Sequence, residues 1–159
     1  MTEVTVAIQD FLAQKRIAVA GVSSGKGIPA NAIYCRLRDT GHTVFAVNPS
    51  RTTAEGDPCY PDLQSLPEKV DAVVAATSPK GTESIVQQCV ALGIPRVWIH
   101  QSLKSFGTSV SDEAVRLCRE NNITVIPGGC PMMFCEPVDV AHKCMRWLSR
   151  VTGNLPASV

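Results

Sequence analysis

Residues 17–27 read Ile-Ala-Val-Ala-Gly-Val-Ser-Ser-Gly-Lys-Gly. An unbroken apolar run ends here in a turn that is rich in glycine and serine, carries one lysine, and stands directly before a helical pattern. When a strand is followed by a glycine-rich loop and then by the first turn of a helix, several backbone N–H groups and the positive end of the helix dipole point to one place. The stretch therefore predicts a βα unit whose loop, residues 21–27, suits phosphate; we call it the glycine loop.

The rest of the chain alternates short apolar runs with amphipathic stretches, which is typical of a parallel sheet with helices on both faces. We predict strands at residues 16–20, 43–47, near 59–60, 71–76, 96–100 and 124–126. We predict helices at residues 5–14, from Pro29 to Gly41, at 81–92, from an N-cap at Ser111 to 121, and at 137–151. The inner face of the last helix is predicted to carry Val138, Ala141, Met145 and Leu148. Because no repeat or linker divides the chain, we expect residues 1–159 to form one doubly wound α/β domain with a single, mostly parallel sheet.

Composition excludes several classes of partner. The chain has 159 residues, of which 45% are hydrophobic and 18% charged, and its net charge is +1. This balance gives no broad electrostatic footprint for nucleic acid or an anionic membrane. The first ten residues contain no basic stretch, and no apolar run approaches the roughly 18 residues of a membrane span. We therefore expect a soluble, cytoplasmic protein with neither nucleic acid nor membrane as partner.

The seven cysteines are expected to be reduced thiols. Their number is odd and no Cys-x-x-Cys pair occurs, so we predict no metal site. Those in helical patterns should pack as small hydrophobes: Cys35, Cys89, Cys118 and Cys144. Cys130 lies in a glycine-rich loop whose N–H groups would lower a thiol pKa, so it is the candidate for covalent chemistry. A half-buried structural role is its alternative.

The glycine loop fits neither of two nucleotide-binding fingerprints. A Walker A loop has four residues between its first glycine and Gly-Lys, followed by Ser or Thr. Here only three residues separate Gly21 from Gly25, and Gly27 follows the lysine. The dinucleotide fingerprint needs Gly-x-Gly, but Ser23 stands at the second glycine. These departures argue against both NTP hydrolysis and a standard NAD site.

The end of the second predicted strand carries a cation where a dinucleotide site has a carboxylate. The strand leads into Asn48-Pro49-Ser50-Arg51, about where an acidic residue would bind the ribose hydroxyls of NAD. A cation there favours a ligand with a phosphorylated ribose, which means coenzyme A or NADP.

Five segments follow the predicted strands: residues 21–27, 48–51, 77–80, 101–104 and 127–133. Ligands of doubly wound folds bind beyond the carboxyl ends of the strands, so we expect these segments to converge on one crevice. They carry lysines, an arginine and hydroxyls but no carboxylate. The crevice should therefore accept anions, and it offers no acid and base pair. We predict no catalytic residue and favour a binding protein over an enzyme.

Five short motifs follow one another along the chain: Gly21-Val22-Ser23, Asn48-Pro49 with a basic residue close behind, residues 71–76 before a Ser-Pro turn, Trp98-Ile99-His100-Gln101, and Cys130-Pro131. In this order they resemble the motifs of the small bacterial and archaeal CoA-binding proteins. The fold of that family matches the CoA-binding domain of the succinyl-CoA synthetase alpha subunit, and the resemblance covers about residues 5–148. It implies a Rossmann-like domain that binds CoA or acyl-CoA while standing alone, without the phosphohistidine and ligase domains of the synthetase.

The resemblance also implies a set of cofactor-binding residues. The pyrophosphate would lie over the backbone of Gly21, Val22 and Ser23, with help from Ser24 and Lys26. The ribose 3′-phosphate would lie near Asn48, Pro49 and Arg51, where Ser50 displaces the cation by one position from its usual place in the family. The turn Thr77-Ser78-Pro79 would flank the nucleotide or the start of the pantetheine arm.

Three functions follow from these observations. The main hypothesis is a non-catalytic or regulatory CoA-binding or acyl-CoA-binding protein. The alternative is an NADP-dependent oxidoreductase, which Ser50-Arg51 permits. The third is a regulatory or scaffolding domain whose ligand alters partner binding and in which Trp98, Trp147 and the apolar C-terminal helix contribute to a homodimer face. A position in the core is the alternative for either tryptophan. Two site residues also have alternative roles that involve no ligand. Lys26 is then a solvated surface residue, and Asn48 is part of the turn that ends a strand.

Overall fold

The structure is a computed structural model, and it describes residues 2–102 and 107–153. Its strands are β1 (Arg16–Ala20), β2 (Thr43–Val47), β3 (Thr53–Ala54), β4 (Asp57–Tyr60), β5 (Ala72–Ala75), β6 (Arg96–Ile99) and β7 (Thr124–Pro127). Its helices are α1 (Glu3–Leu12), α2 (Pro29–Asp39), α3 (Pro79–Leu92), α4 (Asp112–Glu120) and α5 (Val140–Val151), with a 3₁₀ turn at Pro131–Met133.

The strands form one sheet in the order β3-β4-β2-β1-β5-β6-β7. All neighbouring pairs are parallel except β3 and β4, which form an antiparallel hairpin. The chain passes from β1 to β2 on one side and later returns to the other side of β1 to form β5. Strand order therefore reverses at β1 and β5, and the predicted doubly wound, mostly parallel α/β fold is confirmed.

The apolar side chains of the sheet divide between its two faces, as the alternation along a strand requires. Ile17 and Val19 belong to the core that packs against α1 and α2, whereas Ala18 belongs to the core that packs against α3 and α4. In the first core the fully buried Trp98 meets the ring of Phe11 edge to face at 5.4 Å. Burial on both faces explains why these strands read as continuous apolar runs.

Helix starts follow the capping side chains rather than the apolar pattern alone. Thr2 accepts a hydrogen bond from Thr5 N, and α1 begins at Glu3, two residues before its predicted start. Ser78 accepts from Gly81 N, so α3 begins at Pro79 rather than at residue 81. A capping hydroxyl satisfies an otherwise unpaired backbone donor in the first turn of a helix.

The C-terminal helix differs most from its prediction. Asp139 caps it, so α5 begins at Val140 instead of residue 137. Of the predicted inner face, Val138 is buried but precedes the helix, Met145 packs against the first core, and Ala141 and Leu148 are exposed. Ser149 is the buried residue of α5. Because α5 packs mainly against the 3₁₀ turn, its apolar stripe faces solvent.

Two of the cysteines expected to pack in the core do so and one does not, and the two tryptophans differ in exposure. Cys89 and Cys118 are buried in the second core, as expected, but Cys144 on α5 is exposed. Trp98 is fully buried and cannot form part of a dimer face, whereas Trp147 is 65% exposed. Over the described ranges, no helix combines the length and hydropathy that crossing a bilayer requires.

Candidate functional site

A cavity of about 580 Å³ opens at the carboxyl ends of β1, β2 and β5, where the strand order reverses. This is the position at which doubly wound folds bind ligands. Five predicted site residues line it: Gly21, Asn48, Pro49, Thr77 and Ser78. The lining is completed by Ala20, Val47, Pro61, Ala76, Gly81, Ser84, Ile85 and Gln88.

Gly21 lies where the ends of β1, β2 and β5 meet. Its N–H donates to Val47 O at 2.9 Å, and its φ angle is +104°. A Cβ atom at this position would lie 2.2 Å from Ala76 O. Only glycine combines this backbone conformation with so close an approach of the neighbouring strand, and the cavity can therefore begin directly at the strand ends.

Two asparagine side chains hold the glycine loop from within the protein. Asn48 Nδ2 donates to Val22 O at 2.9 Å, and Asn31 Oδ1 accepts from Ser23 N at 2.9 Å. Asn31 Nδ2 in turn donates to Ser23 O at 2.6 Å. The amides of Gly21 and Ser23, two of the three over which the pyrophosphate was predicted to lie, thus donate to protein acceptors.

The predicted cations lie outside the cavity. Lys26 lines a separate depression of about 440 Å³ over the start of α2, with Cys35 and Glu55 on its wall. Arg51 is exposed beyond the turn that Asn48 makes. None of the described residues that line the main cavity carries a charged side chain. Its lining is therefore free of carboxylates, as expected, but it is neutral rather than cationic.

None of the described residues in the two segments that follow β6 and β7 lines this cavity, so the expected convergence of all five segments is wrong. Gln101 N donates to Gly129 O at 3.0 Å, and a bridge also pairs Gln101 with Thr108. The segments after β6 and β7 pair with each other, and these strands lie two and three positions from β1, which leads into the glycine loop. Part of the predicted 101–104 segment, residues 103 and 104, lies outside the described residues.

One face of α3 contributes cavity residues that sequence reasoning missed. Gly81, Ser84, Ile85 and Gln88 have helical spacing and line the cavity wall next to Ser78. Gln88 Oε1 also accepts from Leu63 N at 2.8 Å, which ties the segment after β4 to this helix. The capped start of a helix directly after a central strand is the signal that could have identified this face.

Two side chains near the ends of β6 and β7, Cys130 and His100, are buried. The Cys130 side chain is buried, and burial raises its thiol pKa to about 11, which is the opposite of the predicted lowering. Cys130 is therefore not the activated thiol that the glycine-rich loop was expected to provide. His100 is also buried, and burial lowers its pKa to about 4, so its imidazole is neutral at physiological pH. Neither residue lines the main cavity.

Comparison with known proteins identifies a family and several relatives. The profile of the family described as "CoA binding domain" matches residues 15–136. "Acetate--CoA ligase [ADP-forming] I" of Archaeoglobus fulgidus is 37% identical over 75 residues, which are 47% of this chain and 11% of the ligase. "Uncharacterized protein YneT" of Bacillus subtilis is 25% identical over 128 residues, which are 80% of this chain and 85% of YneT.

A similar fold also occurs among solved structures. A "hypothetical protein from Pyrococcus horikoshii OT3" superposes with a TM-score of 0.76 at 27% identity, covering 87% of this chain and 92% of that one. The chain thus spans about a tenth of the length of the ligase that it matches, but most of the length of YneT and of the Pyrococcus protein.

Proposed function

The chain belongs to the CoA binding domain family, and we propose that it binds coenzyme A or an acyl-CoA as a stand-alone, non-catalytic domain. The observation that carries the proposal is the cavity at the strand reversal of β1 and β5, in a chain whose residues 15–136 match that family. The resemblance recognised from five sequence motifs is thereby confirmed at the level of the family.

Each part of CoA meets a region of the protein that suits its chemistry. The diphosphate lies on the outer part of the glycine loop, near the Ser24 amide and Lys26, since the Gly21 and Ser23 amides donate internally. The ribose 3′-phosphate lies within reach of Arg51, beyond Asn48-Pro49. Oppositely charged partners near the protein surface attract with an energy that decreases with distance and salt.

The neutral cavity suits the uncharged pantetheine arm, which combines methylenes and a gem-dimethyl group with a hydroxyl and two amides and ends in a thiol. Ile85 and Pro49 offer apolar surface, and Ser84, Gln88 and Ser78 offer hydrogen-bonding groups. Small-molecule sites combine mostly apolar lining with a few polar groups in this way. A cavity lined without charged side chains supplies no acid and base for hydrolysis, and this supports a binding or regulatory role.

Calorimetry with CoA, dephospho-CoA, NADP and NAD tests the proposal. We expect CoA to bind more tightly than dephospho-CoA, and Arg51→Ala to remove that difference. Arg150→Ala, which removes an exposed arginine of α5, is the matched control and should leave it intact. A preference for dephospho-CoA, or tighter binding of NADP than of CoA, would refute the proposal. Native mass spectrometry of the purified protein provides an independent measurement through copurified CoA.

A further inference from the structure

The side chain of Asn31, on α2, was not among the predicted ligand-binding residues, yet it makes two hydrogen bonds to the glycine loop and a third to Glu55. Its Oδ1 accepts from Ser23 N, while its Nδ2 donates to Ser23 O at 2.6 Å and to Glu55 Oε1 at 2.6 Å. The residue is only 6% exposed. Both N–H donors of the amide and one acceptor site are therefore engaged.

Glu55 favours the same orientation of this amide that the N–H and the C=O of Ser23 require. Carboxylate oxygens accept hydrogen bonds, and Glu55 Oε1 meets the NH₂ group of Asn31 rather than its oxygen. The second carboxylate oxygen accepts from Cys35 Sγ at 3.5 Å, and Arg38 Nη1 donates to the Glu55 carbonyl at 3.0 Å. Glu55 itself lies in the β3–β4 turn with φ +51°. The hairpin thus presents a fixed acceptor to α2.

The amide of Asn31 in turn determines the direction of one loop peptide. In a trans peptide the C=O and the N–H point to opposite sides. Because Asn31 Nδ2 holds Ser23 O towards the protein, the N–H of Ser24, in the same peptide unit, points away from it. Among the described residues no acceptor meets Ser24 N. The preceding peptide is held at both ends, since Asn48 binds Val22 O and Asn31 binds Ser23 N.

We propose that Asn31, oriented by Glu55, is the positioning residue that keeps the glycine loop in the conformation that binds the diphosphate of the ligand. This inference rests on the proposed function. Asn31 does not touch the ligand; it holds the outward direction of the Ser24 amide before the ligand arrives. A preorganised donor avoids the ordering that binding would otherwise require.

Removing the Glu55 carboxylate distinguishes positioning from simple electrostatics. A negative charge near an anion site repels the anion, so its removal alone should strengthen binding. The positioning role predicts the opposite result for Glu55→Ala, which leaves the Asn31 amide without its fixed acceptor. Glu55→Gln removes the same charge but keeps an oxygen acceptor, and it should preserve binding.

The experiment measures affinity for CoA and for inorganic pyrophosphate, together with the ¹H–¹⁵N resonance of Ser24 during pyrophosphate titration. We expect Asn31→Leu and Glu55→Ala to weaken both affinities by about tenfold, the equivalent of one lost hydrogen bond. The Ser24 resonance should shift in the wild type and in Glu55→Gln, and much less in the other two variants. Glu3→Ala, which removes a carboxylate on α1, is the control and should bind like the wild type.

Two results would overturn the inference in different ways. If the wild type binds CoA but Glu55→Ala binds it equally well or better, the positioning role is wrong and the proposed function stands. If the wild type binds neither CoA nor pyrophosphate, both fall together. Because Glu55 is exposed, Glu55→Ala provides the test even if the buried Asn31→Leu variant does not fold.

Discussion

Replacing Gly21 with alanine should destabilise the protein more than the same change at Gly41, although the two residues have similar backbone conformations. Their φ angles are +104° and +95°. An alanine at either position bears a similar cost for a positive φ, about 1–2 kcal/mol. At Gly41 no described atom lies within 4 Å of the new Cβ, whereas at Gly21 it would lie 2.2 Å from Ala76 O.

The difference between the two variants isolates the steric overlap. Separating β1 from β5 to relieve it costs about 1–3 kcal/mol more, as other overpacked sites do. Urea unfolding followed by circular dichroism should therefore give a loss of about 1–2 kcal/mol for Gly41→Ala and about 2–5 kcal/mol for Gly21→Ala. If Gly21→Ala loses no more free energy of unfolding than Gly41→Ala, then the strand ends do not meet as closely as described.

Three further predictions follow from burial and from the cavity. Burial lowers the pKa of folded His100 to about 4, so the unfolded chain takes up the proton first as the pH falls from about 6.5 to about 4. The free energy of unfolding should then fall by up to about 1.4 kcal/mol per pH unit, and urea titrations of His100→Gln should show a flatter profile. Ser84→Tyr should fill the cavity and weaken CoA binding in calorimetry about tenfold or more, whereas Gln87→Tyr, exposed on α3 outside the cavity lining, should not. Exposed Cys144 should react with a thiol reagent in the native protein, and buried Cys130 only after unfolding, as mass spectrometry of labelled peptides would show.

The central part of the fold could be predicted because local pattern and tertiary environment agree there. The ranges of β1 and β2 match their predictions, since strands that are buried on both faces show themselves as apolar runs bounded by turns. Helix α5 could not be predicted in the same way. Its apolar residues have helical spacing, but spacing alone does not say whether another element covers that face.

The sequence could predict which strand ends border the cavity, but not the directions of the side chains that follow them. The turn residues Gly21 and Asn48 do line the cavity, because the carboxyl ends of parallel strands share one edge. The direction of Lys26 depends on how the loop turns over α2, which its local sequence does not determine. The link between Asn31 and Glu55 joins residues that are 24 positions apart through the β3–β4 hairpin. The glycine at position 56 was the signal in the sequence for that hairpin, and its φ of +82° in the structure shows why the turn favours glycine.

The contrasting surroundings of the two tryptophans give the protein its own optical probes. Trp98 contacts the rings of Phe11 and Phe134 and donates its indole N–H to Gly128 O, whereas Trp147 is largely exposed on α5. Fluorescence from Trp98 should be blue-shifted and shielded from iodide, and that from Trp147 red-shifted and readily quenched. With Trp147 replaced by phenylalanine, the remaining emission reports on the interior of the sheet alone, without an attached dye.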